Sequence, residues 1–313
     1  QMTIQSDQAK AEASNWQTQV LEYCLRIGNF FCFAGWAWGH LYWEPSYASI
    51  LWSEASFEWF QQFGYSWEEF TGTGANDGLI QKCIQWIGWI CVANAVLSFT
   101  ARRNSWIQLC LLTSGSLFML AIAVAKYIRS GFELPMLIEQ GGQILSPILL
   151  VMALSIGVRN RITTMTAIIA VMMTFGGHGL YAVGLWPTPA TFVGMTRVVI
   201  GWDYDSSKLF LLVAGVLDFI VCFGVLIPFL RRSSALYAMI WGIVTAAARP
   251  VAGMSWELNY WGADQFLHES AYRSPHFFIP LFLYLYWTYT KVQHSFGSLT
   301  LETKDMTLPS TAK

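Results

Sequence analysis

Long apolar runs set off by short charged punctuation give the sequence its rhythm. Eight such runs occupy residues 25–42, 83–99, 106–127, 137–158, 162–186, 209–230, 235–254 and 275–290. Crossing a bilayer as a helix takes about 20 apolar residues, and each run is near that length. The fourth is the weakest span, because it opens with Glu139, Gln140, Gly141, Gly142 and Gln143. The pattern predicts an all-α polytopic membrane protein with about eight transmembrane helices.

The punctuation sets an orientation. Tight connections carry Arg102 and Arg103, Arg159 and Arg161, and Arg231 and Arg232, whereas the longer ones are rich in acids such as Glu54, Glu58, Asp203, Asp264 and Glu269. Lysine and arginine accumulate in short cytoplasmic loops. Both termini are therefore expected in the cytoplasm and the long acidic loops outside, in the plasma (inner) membrane. No basic stretch leads into a short cleavable apolar core, so no removable signal peptide is expected.

The first outer connection, residues 43–82, is long and aromatic. At helical period, Ile50, Leu51, Phe57 and Phe60 fall on one side of 47–60, with Ser53, Glu54 and Ser56 away from it. This predicts an interfacial amphipathic helix at headgroup level, with a surface for other subunits of a membrane complex as the alternative. Residues 188–200 hold the corresponding place later in the chain.

The same landmarks occur twice in the same order. His40 follows Gly39 and precedes Tyr42 and Pro45; His178 follows Gly177 and precedes Tyr181 and Pro187. Each set continues through an interfacial stretch, a span, an arginine pair, another span and an outer connection to Ser146-Pro147 or Ser274-Pro275. Parallel duplication of a four-helix unit accounts for this order. The expected division is a polar tail at 1–23, membrane units at 24–158 and 159–291, and a cytoplasmic tail at 292–313.

Composition narrows the chemistry. Charged residues make up 12% of the chain against about 25% in soluble domains, which agrees with a membrane location. The net charge of -1 supplies no basic field for nucleic acid. The six cysteines form no CxxC pair and lie in or beside apolar runs, where free thiols act as small hydrophobes.

Ionisable residues inside spans are costly and therefore informative. Asp218 sits ten residues from Lys208, roughly 15 Å deep along its helix. Arg249 precedes Pro250, which leaves the Ala246 carbonyl without its helical donor. Pairing between Asp218 and Arg249 is one expectation, and snorkelling of Arg249 to the headgroups is the other. His40, His178, His268 and His276 all fall on the outer side, with Glu139, Glu269 and Arg273 near them in the same region. Together they predict a polar cavity open to the outer face. Metal or haem ligation, proton movement and plain hydrogen bonding all use such histidines, but no HExxH or HxxxH spacing supports a metal.

The stretch 209–227, with Gly215-Val-Leu-Asp218 followed by a glycine-bearing apolar run, resembles the second helix of DoxX-like membrane proteins. The resemblance covers residues 165–250 and implies a four-helix membrane bundle, of a family some of whose members serve quinone-linked oxidation of sulfur compounds. It places Asp218 at the family's acidic position and Gly88 at the corresponding place in the first half. Leu25-Arg-Ile-Gly28 also resembles the first helix of vitamin-K-carboxylase-like membrane domains.

Three functions fit. One is a redox-associated subunit whose cavity binds a quinone or another small amphipathic molecule, with Asp218 and Arg249 as its polar floor and His178 and His276 above. The second is a non-catalytic accessory subunit docking through residues 43–82. The third is a transporter, which the nearly uncharged inner halves of the spans disfavour.

Overall fold

The apolar runs form helices because a chain removed from water must satisfy its backbone donors and acceptors internally. The computed structural model describes residues 2–254 and 261–305, with side chains described within 14–254 and 262–290. Its elements are α1 (Met2–Leu41), α2 (Glu54–Gln61), α3 (Trp67–Thr71), α4 (Leu79–Thr100), α5 (Trp106–Arg129), α6 (Leu134–Ile138), α7 (Gly141–Met152), α8 (Arg161–Ala182), α9 (Ala190–Ile200), α10 (Tyr204–Gly224), α11 (Arg231–Gly253), α12 (Trp261–Tyr272) and α13 (Pro275–Asp305). A two-residue hairpin pairs β1 (Gly72–Thr73) with β2 (Asn76–Asp77).

Six helical stretches among the described residues are long and apolar enough to cross a membrane: α4, α5, α6 through the π-helical turn after α7, α8, α10 and α11. α1 and α13 are long but carry Arg26, Asn29, Tyr284, Tyr286 and Trp287, which lower their apolarity. Both pack inside the bundle, where polar and amphipathic side chains find protein partners instead of lipid. The weakest expected span, 137–158, is the most enclosed of the six. Its polar opening faces other helices: Gln143 accepts from the Trp36 indole at 2.7 Å, and the Gly142 amide donates to Thr174 at 3.0 Å.

Helix continues into both expected polar tails. α1 begins at Met2 and α13 runs to Asp305. The run Ala9-Lys-Ala-Glu-Ala13 consists of strong helix formers, so helix extends through it despite its polarity. Leu21, expected in the tail, is fully buried in the main core.

That core mixes the halves. It joins Leu21 and Leu25 of α1, Leu149 of α7, Phe175 of α8, Val221 of α10, Ala238 of α11 and Phe282 of α13. The packing is reciprocal: α1 lies on α4 as α8 lies on α10, and α5 on α7 as α11 on α13. Across the halves, α6 and α7 lie against α8, while α12 and α13 lie against α1. Arg26 is 8% exposed and buried among the helices. Its guanidinium donates to the carbonyls of Ser98 at 2.8 Å and Ala101 at 2.9 Å, which closes the C-terminal end of α4.

The single amphipathic helix expected over 47–60 is broken. A 3₁₀ turn covers Ser46–Ile50, and α2 starts afresh behind Ser53, whose hydroxyl accepts from the Ser56 amide at 3.2 Å. Leu51, Phe57 and Phe60 do share a side, but they pack on Phe70, Ile80 and Ile84 of the same chain. Trp52, Trp59, Phe63, Tyr65 and Trp67 are aromatic side chains left exposed there.

Candidate functional site

The glycine string around His178 explains how the site is assembled. Successive helical residues are about 100° apart, so Gly177 and Gly179 face nearly opposite ways with His178 between them. A Cβ at Gly177 would stand 2.5 Å from the Glu139 amide nitrogen, and one at Gly179 would stand 3.3 Å from the Gly215 carbonyl. Glycine thus lets α8 touch the α6–α7 junction on one side and α10 on the other. The His178 ring accordingly lies against Glu139 and lines the same cavity as Asp218.

Glu139 is 4% exposed and lies 3.0 Å from His178 Nδ1, outside hydrogen-bonding geometry for that atom. Its other oxygen accepts from Gln140 at 3.0 Å. The His276 ring centroid lies 5.4 Å from that of His178. Nearby, Tyr181 donates to Glu133 at 2.6 Å, and Lys126 stands 6.0 Å from the Trp36 ring centroid.

His178, His276, Asp218, Arg249 and Arg273 line one cavity of about 190 Å³. A water needs roughly 10–15 Å³ of such space, so the cavity has room for part of an organic molecule. Its remaining wall is apolar, with Phe192 of α9, Phe210 and Leu211 of α10, and Trp241 and Val244 of α11. Val199, Ile200 and Val244 are also exposed on the outside of the bundle, which makes the rim apolar.

Several polar atoms in the wall are buried without a hydrogen-bond partner: Arg273 Nε, His276 Nδ1, His178 Nε2, Arg249 Nε and Asp218 Oδ1. Buried polar atoms in folded proteins are nearly always satisfied, so this concentration marks the cavity apart from the bundle around it. Burial, and next the neighbouring Arg249, lowers the pKa of Arg273 from its ordinary value.

The expected Asp218–Arg249 pair does not form. Arg249 pairs with Glu269 at 2.8 Å, and Asp218 makes no ion pair among the described residues. The reason is depth: Arg249 and Glu269 sit where α11 and α12 meet, whereas Asp218 faces the middle of the cavity beside Trp241. The carbonyl freed by Pro250 is taken up as well, since Ser270 donates to Ala246 O at 2.5 Å.

Nor do the four histidines share one cavity. His40 and His268 lie against α1 and α12, away from the His178–His276 pair. His40 Nδ1 is 2.6 Å from Trp36 O, and its Nε2 bonds to the Tyr47 hydroxyl. Trp36 stacks on Tyr272, with centroids 4.4 Å apart, and fills the space around it. His268 packs on Gly39, and burial lowers its pKa. His40 and His268 therefore stand outside the cavity, and Glu269 reaches it only through Arg249.

Comparison with protein-family models, with curated proteins and with solved structures finds no match to this chain. Among the described residues no group of three or more histidine, cysteine, aspartate or glutamate side chains is placed to hold a metal. The six cysteines are unpaired.

The sequence did not reveal the wall made by α9, read as an interfacial stretch, or the part of Lys126, which looks like an ordinary lysine at a helix end. Phe192 and Thr196 recur at i and i+4 in that stretch, a spacing that would have pointed α9 inward. Glu133 and Glu139 come from the first half of the chain and reach Tyr181 and His178 of the second.

Proposed function

We propose that the protein is a multi-pass membrane protein that takes a small amphipathic molecule, such as a quinone, into the cavity between α8, α9, α10 and α11. In this reading α1 and α13 also cross the bilayer, giving eight spans in two tandem units of the DoxX-like kind. The arginine-bearing connections face the cytoplasm, and the cavity lies toward the outer leaflet. The supporting observation is an apolar cavity with an apolar exposed rim and unsatisfied polar groups at one end. A ligand delivered through lipid meets apolar surface first and hydrogen-bonding groups last, which is how pockets for amphipathic molecules are usually lined.

Redox service follows if the ligand is a quinone. His178 and His276 then hydrogen-bond its oxygens and exchange protons with them. The exposed Trp52, Trp59, Phe63 and Trp67 supply the surface through which such a subunit meets others of a membrane complex.

Organic extraction of the protein purified in mild detergent tests this. A stoichiometric quinone or other amphiphile is expected from the wild type, and its loss from Ala214→Trp, which fills the cavity. Bare wild-type protein, or a ligand retained by Ala214→Trp, contradicts the reading.

A further inference from the structure

The cavity's polar end gathers three cations, with Asp218 elsewhere in the cavity wall. Lys126, Arg249 and Arg273 approach it from α5, α11 and the α12–α13 turn, and Glu139 and Glu269 are the carboxylates in their midst. Glu269 pairs directly with Arg249, and Glu139 lies against His178. Arg273 is 6% exposed and lines the cavity, and its Nε is buried with no hydrogen-bond partner. Its neighbour His276 is 3% exposed with Nδ1 equally unpartnered. An arginine is not deprotonated in proteins, and a buried charge without a partner is strongly destabilising. A neutral quinone offers that guanidinium only weak acceptors.

We infer that the molecule held here is an anionic amphiphile, whose carboxylate or phosphate bonds to Arg273 and His276 while its acyl chain lies along Phe210, Leu211 and Val244 toward the rim. This rests on the cavity-binding reading and specifies the class of ligand within it. The guanidinium fork matches a carboxylate or phosphate with two parallel hydrogen bonds. The two oxyanions share this chemistry, and a fatty acid and an anionic phospholipid are its two membrane sources.

The test uses the full chain in phosphatidylcholine nanodiscs near neutral pH, with competition among palmitate, palmityl alcohol, phosphatidylglycerol and a short-tailed quinone. Palmitate is expected to bind at least about tenfold more tightly than the alcohol, since hydrogen bonds to charged groups are worth that much. Success of phosphatidylglycerol instead identifies phosphate as the headgroup and supports the inference equally. Arg273→Gln is expected to abolish the preference and Arg273→Lys to retain part of it. Arg273→Gln removes a buried charge to which no carboxylate bonds directly, so the ligand-free variant is expected to melt no lower than the wild type.

Equal binding of acid, alcohol and quinone overturns the anionic inference and leaves the cavity reading standing. An acid preference that survives Arg273→Gln overturns it too. If no probe binds, and Ala214→Trp is indistinguishable from wild type, the cavity reading itself fails.

Discussion

His40 and His178 occupy matching places in the two halves of the chain, yet one is sealed and the other opens on a cavity. Around His40 both ring nitrogens have partners, and Trp36, Tyr47 and Tyr272 close the space. Gly88 lets α4 approach so tightly that a Cβ there would stand 2.6 Å from Leu41. Around His178 the corresponding α10 position is Asp218, and α9 and α11 stand off to leave a void. The same helix order thus makes a packed joint when small and aromatic residues meet. It leaves a cavity when a carboxyl and an arginine with an unpartnered Nε take their place. Polarity without satisfaction, rather than the histidine, separates the two.

Substitutions sharpen that contrast. The largest effect is expected from Glu139→Gln, which leaves Lys126 and Arg273 without their buried counter-charge and should cost about 3–5 kcal/mol. Chemical denaturation in detergent measures it, and a loss below 1 kcal/mol would show that the cluster is neutralised another way. His40→Ala orphans the buried Tyr47 hydroxyl and should cost about 1–3 kcal/mol while leaving ligand binding unchanged. His178→Ala is expected to do the reverse, with weaker binding and little change in melting.

A smaller effect belongs to Asp218→Asn. A buried carboxyl with no ion pair gains little for stability, so the change should stay within about 1 kcal/mol, and any altered binding then reports contact with the ligand. The smallest effect lies at the rim of the sealed half. The Ser66 amide and hydroxyl hold the Glu69 carboxyl below its ordinary value of 4.5. With the folded value depressed, the capping box of α3 contributes above pH 4.5 and is lost as pH falls through the folded value. Hydrogen exchange at residues 66–71 should therefore quicken only in acid, and Glu69→Gln should erase that dependence.

Much of the architecture was legible because apolar length and charge punctuation are direct consequences of the solvent. Six of the eight expected spans and the unpaired cysteines follow from that logic. Tertiary exchange between halves was not legible. Nothing local in Glu139 says that it meets His178, since that contact depends on Gly177 admitting another helix. Arg249 looked like the partner of Asp218 because both lie deep in their runs. Glu269 takes it because α12 folds back against α11, and a loop's return path leaves no periodic signal. Residues 47–60 had the right apolar side but the wrong neighbour: the hydrophobic period reports a buried face, not what buries it.

The most direct test of the account is an experimental density map of the full chain in nanodiscs, read at the cavity. The account predicts elongated density that begins within hydrogen-bonding distance of Arg273 and His276 and runs past Phe210 to the apolar rim, with none beside His40. A cavity that holds only water, or one closed by inward movement of α9, would contradict it.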